Sequence, residues 1–183
     1  MKRVSNIKKL NKSSYPPIKL NENSTPTSDD FEKSTIFNTY FCLQSQVNDE
    51  NTDLPDNPNI TSQSTIDRIV ISSQDVKDTL QMLNTSKATG PDNLNPMLLK
   101  QASSELTYPL TKLFNLSLQN SSFPSLWKTS NVVPVFKKGS ANIASNYRPI
   151  SLLSVLGKCM ERCIFKHIYN YLHSNNILIP QQS

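Results

Sequence analysis

The uneven distribution of apolar residues most constrains how this 183-residue chain can fold. Up to about residue 63 the sequence is dominated by Asn, Ser, Thr, Asp, Lys and Pro. From Ile66 onward, apolar residues recur at helical or strand spacing. Three glycines against twelve prolines favour helices interrupted by proline. We therefore predict an α+β, mainly helical domain over 64–183, preceded by a low-complexity, mostly disordered linker over 1–63.

One part of this linker has a helical pattern. Its apolar residues recur at helical intervals, and they are Phe31, Ile36, Phe37, Tyr40, Phe41 and Leu43. Asp29 and Asp30 precede them, where an N-cap and a first helical turn are expected. Such a carboxylate pair could instead hold divalent ions, but its Ser, Thr and Pro surroundings favour the cap. We predict a short amphipathic helix near residues 31–44.

Start and stop signals predict further elements in the apolar region. A capping sequence at 72–75 begins a helix of about ten residues. Pro96 opens a short helix, since proline is tolerated in a first turn. Longer helices are expected over 106–120 and 155–175. Two strands are expected over 131–136 and 147–152, where β-branched and other apolar residues are frequent.

Basic residues flank the polar loop between these two strands. A hairpin would bring Lys137, Lys138 and Arg148 to the same end, where ammonium and guanidinium groups suit a polyphosphate or nucleic-acid backbone. The wider stretch 123–173 holds seven Lys and Arg residues and one acid, whereas the whole chain has a net charge of +5. Such a face is typical of nucleic-acid binding and also of an ordinary solvated surface.

A second polar turn lies at residues 85–93. Lys87 and the turn from Gly90 to Asp92 could approach a nucleic-acid backbone. The alternative is a plain connecting turn in which Asp92 bonds its own backbone. The residues favour the plain turn for Asp92 and leave the role of Lys87 open.

The cysteines predict neither a metal site nor a disulfide framework. Cys159, Cys163 and His167 are spaced four residues apart, but a tetrahedral site needs further ligands. A partly buried helix face also explains the two cysteines. With Cys42 they form an odd, sparse set, which favours a reducing compartment. No apolar run follows the basic N-terminus and no segment is long enough for a bilayer, so we expect an intracellular protein, cytoplasmic or nuclear, that is not secreted and contacts no membrane.

Several motifs occur in a specific order along the chain. They are LNTSKATGPD at 83–92, FPSLWK at 123–128, VPVFKKG at 133–139, NYRPISLL at 146–153, KCMER at 158–162 and QQ at 181–182. This order resembles the start of the reverse transcriptase domain of non-LTR retrotransposons, the LINE and jockey-like elements, over about 66–183. The shorter FNTYF at 37–41 is similar to the segment that joins endonuclease and polymerase in these elements.

The resemblance implies a right-hand polymerase, of which this chain covers the N-terminal fingers. By position, contact with the incoming deoxynucleotide and the template falls to Lys137 or Lys138 and to Arg148. Ile150 and Ser151 would lie near the template strand. The loop that contains Lys87 would contact the template-primer. The implied partners are an RNA template, a DNA primer, the incoming nucleotide and the palm domain.

The resemblance also implies where the chemistry lies. The family's metal-binding aspartates belong to the palm, beyond Ser183, so we expect no catalytic residue, no metal ligand and no cofactor in this chain. Magnesium is implied only for the full-length polymerases. We therefore expect a fragment of an RNA-directed DNA polymerase that is truncated before the palm and inactive alone. The alternatives are a non-enzymatic nucleic-acid-binding module, or an unrelated helical interaction protein with a solvated basic face.

Overall fold

The computed structural model describes residues 15–46, 65–66 and 68–178. Within these ranges the fold is α+β and mainly helical, as predicted, with five α-helices and one two-stranded antiparallel sheet. The helices are α1 (Asp30–Gln44), α2 (Ser73–Gln81), α3 (Pro96–Gln101), α4 (Ser103–Gln119) and α5 (Val155–Ser174). The strands are β1 (Ser130–Phe136) and β2 (Tyr147–Leu153). Short 3-10 turns span Ser125–Lys128 and Ala144–Asn146.

The described residues fall into two compact units. The hairpin unit comprises 15–46 and 133–150, and the helical unit comprises 65–66, 68–132 and 151–178. The domain boundary predicted near residue 63 lies outside the described residues and stays a prediction. In the hairpin unit, Phe37 of α1 packs on Tyr147 of β2 and Ile18 is fully buried.

Local capping explains where the helices begin. Asp29 caps α1 and accepts a hydrogen bond from the amide of Glu32 at 2.9 Å. Ser72 caps α2 in a capping box with Asp75. Asn95 caps α3, whose first residue is Pro96. These side chains satisfy amides that have no partner within the helix, so sequence reasoning placed the starts of these helices to within one or two residues.

One helix start differs from its prediction. Helix α4 begins at Ser103, three residues before the expected position, and Pro109 lies within it. A proline there removes one backbone hydrogen bond. Leu110 and Phe114 are buried on the inner side of α4, and this packing retains the helix despite the proline.

The core of the helical unit forms where α2 packs against α4 and α5. Its fully buried side chains include Ile71, Val76, Leu80, Phe114, Cys159 and Cys163. The buried residues of α5 all lie in its first half. Burial raises the pKa of the Cys159 thiol to about 12, so this cysteine behaves as a small apolar residue. None of the helices in the described ranges is long and apolar enough to cross a lipid bilayer.

Candidate nucleic-acid interface

Hydrogen bonds within the loop close the tip of the β-hairpin. The amide of Lys137 donates to the carbonyl of Asn146 at 2.8 Å, so the ladder continues one residue beyond β1. Gly139 has a φ of +88°, and a Cβ at this position would lie 2.8 Å from Nδ2 of Asn146. That Nδ2 donates to the carbonyl of Ser140 at 2.8 Å. Glycine is therefore required here for Asn146 to fold over the loop.

A buried tyrosine fixes the first residue of β2. Tyr147 is 5% exposed, and its hydroxyl donates to the carbonyl of Ala141 at 2.6 Å. Its ring centroid lies 4.9 Å from that of Phe37 and 5.4 Å from that of Phe136. Burial raises the pKa of the Tyr147 hydroxyl, which favours its protonated, donating form. Because Arg148 comes next in the chain, this packing fixes the backbone that carries the guanidinium.

The chain before α1 supports the same loop. The amide of Lys19 donates to the carbonyl of Asn142 at 2.8 Å, and the amide of Ala144 donates to the carbonyl of Lys19 at 3.1 Å. The Tyr15 hydroxyl donates to the carbonyl of Pro134 at 2.8 Å. Sequence reasoning missed this support, although the aromatic density of residues 37–41 was a signal that α1 has a packing partner.

The three predicted basic residues flank the hydrogen-bonded loop between β1 and β2. Lys137, Lys138 and Arg148 are exposed, and none of them enters an ion pair with another described residue. The rings of Phe136 and Tyr147 are in contact on one face of the hairpin. Side chains alternate along strands, so the residues next to these rings, Lys137 and Arg148, lie together on the opposite face. By this alternation two of the predicted cations, Lys137 and Arg148, share one face of the hairpin tip, which we call the basic face.

The other predicted site residues are arranged differently. Ile150 is 46% exposed, and by alternation it shares a face with Arg148. Ser151 is exposed and lies on the opposite face of the strand. Lys87 is exposed in the helical unit, in a turn where its amide donates to the carbonyl of Asn84 at 3.3 Å. Only Ile150 therefore joins the basic face within the hairpin unit.

The turn that follows Lys87 is fixed to the start of α5. Ser154, the N-cap of α5, donates from its hydroxyl to Oδ2 of Asp92 at 2.6 Å. A Cβ on Gly90 would lie 2.6 Å from the backbone nitrogen of Ser154. Asp92 also accepts from the amide of Leu94 at 3.3 Å, which is the local bond predicted for a plain turn. The bond from Ser154 was not predicted, because 62 residues separate the two partners.

The structure also places the residues that were considered as metal ligands. Asp29 caps α1, as predicted. Cys159 and Cys163 are buried, and the Cys163 sulfur lies 3.5 Å from the Thr79 hydroxyl oxygen. Among the described residues, no three His, Cys, Asp or Glu side chains come together as a possible metal site. These residues therefore do not fit the magnesium that the resemblance implies for full-length polymerases.

Curated proteins with similar sequences are polymerases of mobile elements. The RNA-directed DNA polymerase from mobile element jockey of Drosophila melanogaster is 32% identical over 96 residues, which is 52% of this chain and 10% of that protein. The probable RNA-directed DNA polymerase from transposon BS of the same species is 29% identical over 110 residues, 60% of this chain and 12% of that protein. This chain contains a region related to non-LTR reverse transcriptases.

A third comparison agrees with this relationship. The jockey polymerase of Drosophila funebris is 31% identical over 96 residues, which is 52% of this chain and 10% of that protein. No protein-family model matches the chain. The chain spans only 10 to 12% of the length of these relatives. The predicted relationship to non-LTR reverse transcriptases is confirmed, whereas the assignment to the fingers stays a prediction.

Proposed function

We propose that this chain contributes the template- and nucleotide-contacting fingers of an RNA-directed DNA polymerase from a mobile element. Its main support is the set of exposed cations, Lys137, Lys138 and Arg148, around a loop that is closed by its own hydrogen bonds. The relatives are named as RNA-directed DNA polymerases, and the partners that follow are an RNA template, a DNA primer and a deoxynucleotide.

The chemistry of the basic face suits these partners. Arg148 offers a planar guanidinium that can bind two phosphate oxygens at once, and Lys137 adds a point charge on the same face. The backbone of both residues is held in place, so little ordering is needed when a phosphate binds. Ile150 would contact the template from the same face. Ser151 and Lys87 would contact it from other surfaces.

The chemical step requires groups that these residues do not supply. Transfer of a nucleotidyl group by two divalent ions needs carboxylates that hold them. In this proposal magnesium is bound by carboxylates of the full-length polymerase, and the basic face holds the triphosphate or the nucleic-acid backbone in position. The fragment on its own is a binding element.

Salt-dependent binding to a labelled RNA template with a DNA primer tests the proposal. Arg148→Ala should weaken binding by roughly fivefold, since an exposed charge contact contributes about 1 kcal/mol. It should also reduce the slope of log Kd against log salt by about 0.7 to 0.9, because one phosphate contact is lost.

Arg68→Ala is the matched control. Arg68 is an exposed arginine of the helical unit, so its loss changes the net charge by the same amount. We expect this variant to retain nearly all of the salt slope of the wild-type chain. Equal losses of affinity and slope in both variants would show that only net charge matters, and the proposal would then be wrong.

A further inference from the structure

An exposed aromatic residue lies at the hairpin tip, directly before two lysines in the chain. Phe136 is the last residue of β1, and Lys137 and Lys138 follow it directly. Its side chain is 46% exposed, although Tyr147, its neighbour across the ladder, is almost fully buried. Part of the Phe136 side chain is therefore accessible to a ligand.

The ring of Phe136 is also held in place. Its centroid lies 5.4 Å from that of Tyr147, with an angle of 63° between the ring planes. Tyr147 is itself fixed by Phe37 and by its bond to the carbonyl of Ala141. A phenylalanine has two rotatable bonds, and this edge-to-face contact restricts them before any ligand arrives. The contact with Tyr147 therefore fixes the orientation of the exposed part of the Phe136 ring.

We infer that Phe136 is a stacking platform for an unpaired base of single-stranded nucleic acid, with the exposed Lys138, two residues further along the chain, binding the adjacent phosphate. This inference rests on the proposed function and specifies its ligand. Every base has a flat π-face, so an aromatic ring beside cations binds single strands with little sequence preference. A duplex keeps its bases stacked on one another, and here it could use only the charge of Lys138. The hairpin tip therefore discriminates single strands from duplexes.

Fluorescence titrations of the full chain with single strands of about 12 nucleotides test this inference. Phe136→Leu keeps an apolar contact with Tyr147 but removes the aromatic face. We expect it to weaken single-strand binding about fivefold or more. The salt slope and the affinity for duplex should stay unchanged, since no phosphate contact is lost. RNA and DNA strands of the same sequence show whether either sugar is preferred.

Two further measurements separate stacking from a structural role. An abasic strand of equal length should bind the wild-type chain and Phe136→Leu equally, because no base can reach the ring. Phe136→Trp should retain the affinity, and its fluorescence should be quenched when a base stacks on the indole. The buried Trp127 is the only native tryptophan. A parallel titration of the wild-type chain therefore shows how much of the fluorescence change comes from Trp127.

The outcomes distinguish this inference from the proposed function. If the wild-type chain binds strands and Arg148→Ala weakens that binding while Phe136→Leu does not, stacking is excluded and the phosphate-binding face remains. Equal wild-type affinity for abasic and normal strands also excludes stacking. If the wild-type chain binds no nucleic acid, both the proposed function and this inference are wrong.

Discussion

At Gly90 the chain has no room for a side chain. Its missing Cβ would meet the carbonyl carbon of Leu153 and the nitrogen of Ser154, both at 2.6 Å, and backbone atoms cannot turn away as a flexible side chain can. The same turn carries Asp92, which accepts from Ser154. The conformation of the turn therefore depends on a close approach between two distant parts of the chain, and not only on its Gly-Pro sequence.

Gly90→Ala should therefore destabilise the helical unit. Overpacking against backbone typically costs about 1–3 kcal/mol, and urea denaturation would measure the change in the free energy of unfolding. Gly157→Ala is the matched control. A Cβ there meets its nearest neighbour, Cβ of Trp127, at 3.4 Å, and alanine within a helix is stabilising by up to about 1 kcal/mol. A Gly90→Ala chain as stable as wild type would contradict the close approach.

At the scale of elements, an ion pair joins α2 to α5. Lys166 Nζ lies 2.6 Å from Oδ1 of Asp75, and the Ser72 hydroxyl donates to Oδ2 at 2.6 Å. These two hydrogen bonds, first that from Lys166 and then that from Ser72, hold the pKa of Asp75 well below its ordinary value. Sequence reasoning placed Asp75 correctly at the start of α2. The bond from Lys166 could not be predicted, since nothing local connects residues that are 91 positions apart.

This pair predicts how stability depends on pH. The unfolded chain protonates Asp75 near the ordinary pKa of about 3.9, whereas the folded chain keeps the carboxylate ionised to lower pH. The stabilisation is therefore fully present above that value and is lost as the pH falls below it. We expect the free energy of unfolding, measured in urea, to fall from about pH 5 to pH 2, and Asp75→Asn should reduce this fall.

Asp78→Asn is the control for the same helix. Asp78 accepts from Gln74 at 2.6 Å and forms no ion pair with another described residue. This variant should retain most of the pH dependence of the wild-type chain. A pH profile that Asp75→Asn leaves unchanged would show that the bond to Lys166 does not contribute to stability.

The positions where the helices begin could largely be predicted from local sequence. The caps Asp29, Ser72 and Asn95 and the proline at position 96 act within one helical turn, so they could be recognised without knowledge of the fold. How far burial continues along α5 could not be predicted in the same way. The cysteine side is covered in the first half of the helix because α2 packs there, and this depends on a partner distant in sequence.

At the scale of the whole molecule, the proposed function predicts that the chain binds nucleic acid and does not polymerise DNA. The purified chain of 183 residues should not extend a DNA primer on an RNA template, even with magnesium present. The reason is that nucleotidyl transfer by two divalent ions needs a cluster of carboxylates, and among the described residues no three His, Cys, Asp or Glu side chains come together. Incorporation of labelled deoxynucleotide is the measurement, and an active reverse transcriptase is the positive control.

Contaminating activity must be excluded in this experiment. Arg148→Ala, prepared in the same way, should give the same background as the wild-type chain. Primer extension by the wild-type chain that Arg148→Ala removes would show that this chain is catalytic, and the proposal of a binding element would be wrong.

The sequence by itself determined the helices, the hairpin with its basic loop, and the order of motifs that indicates a polymerase. These features depend on residues that are close along the chain. Only the tertiary structure decided that residues 15–46 belong with the hairpin, because Phe37 and Tyr147 meet only in the folded chain. A polar composition indicates a linker when it is averaged over many residues. Such an average does not reveal which aromatic side chains of residues 15–46 find a buried partner, because Tyr147 is distant from them in sequence.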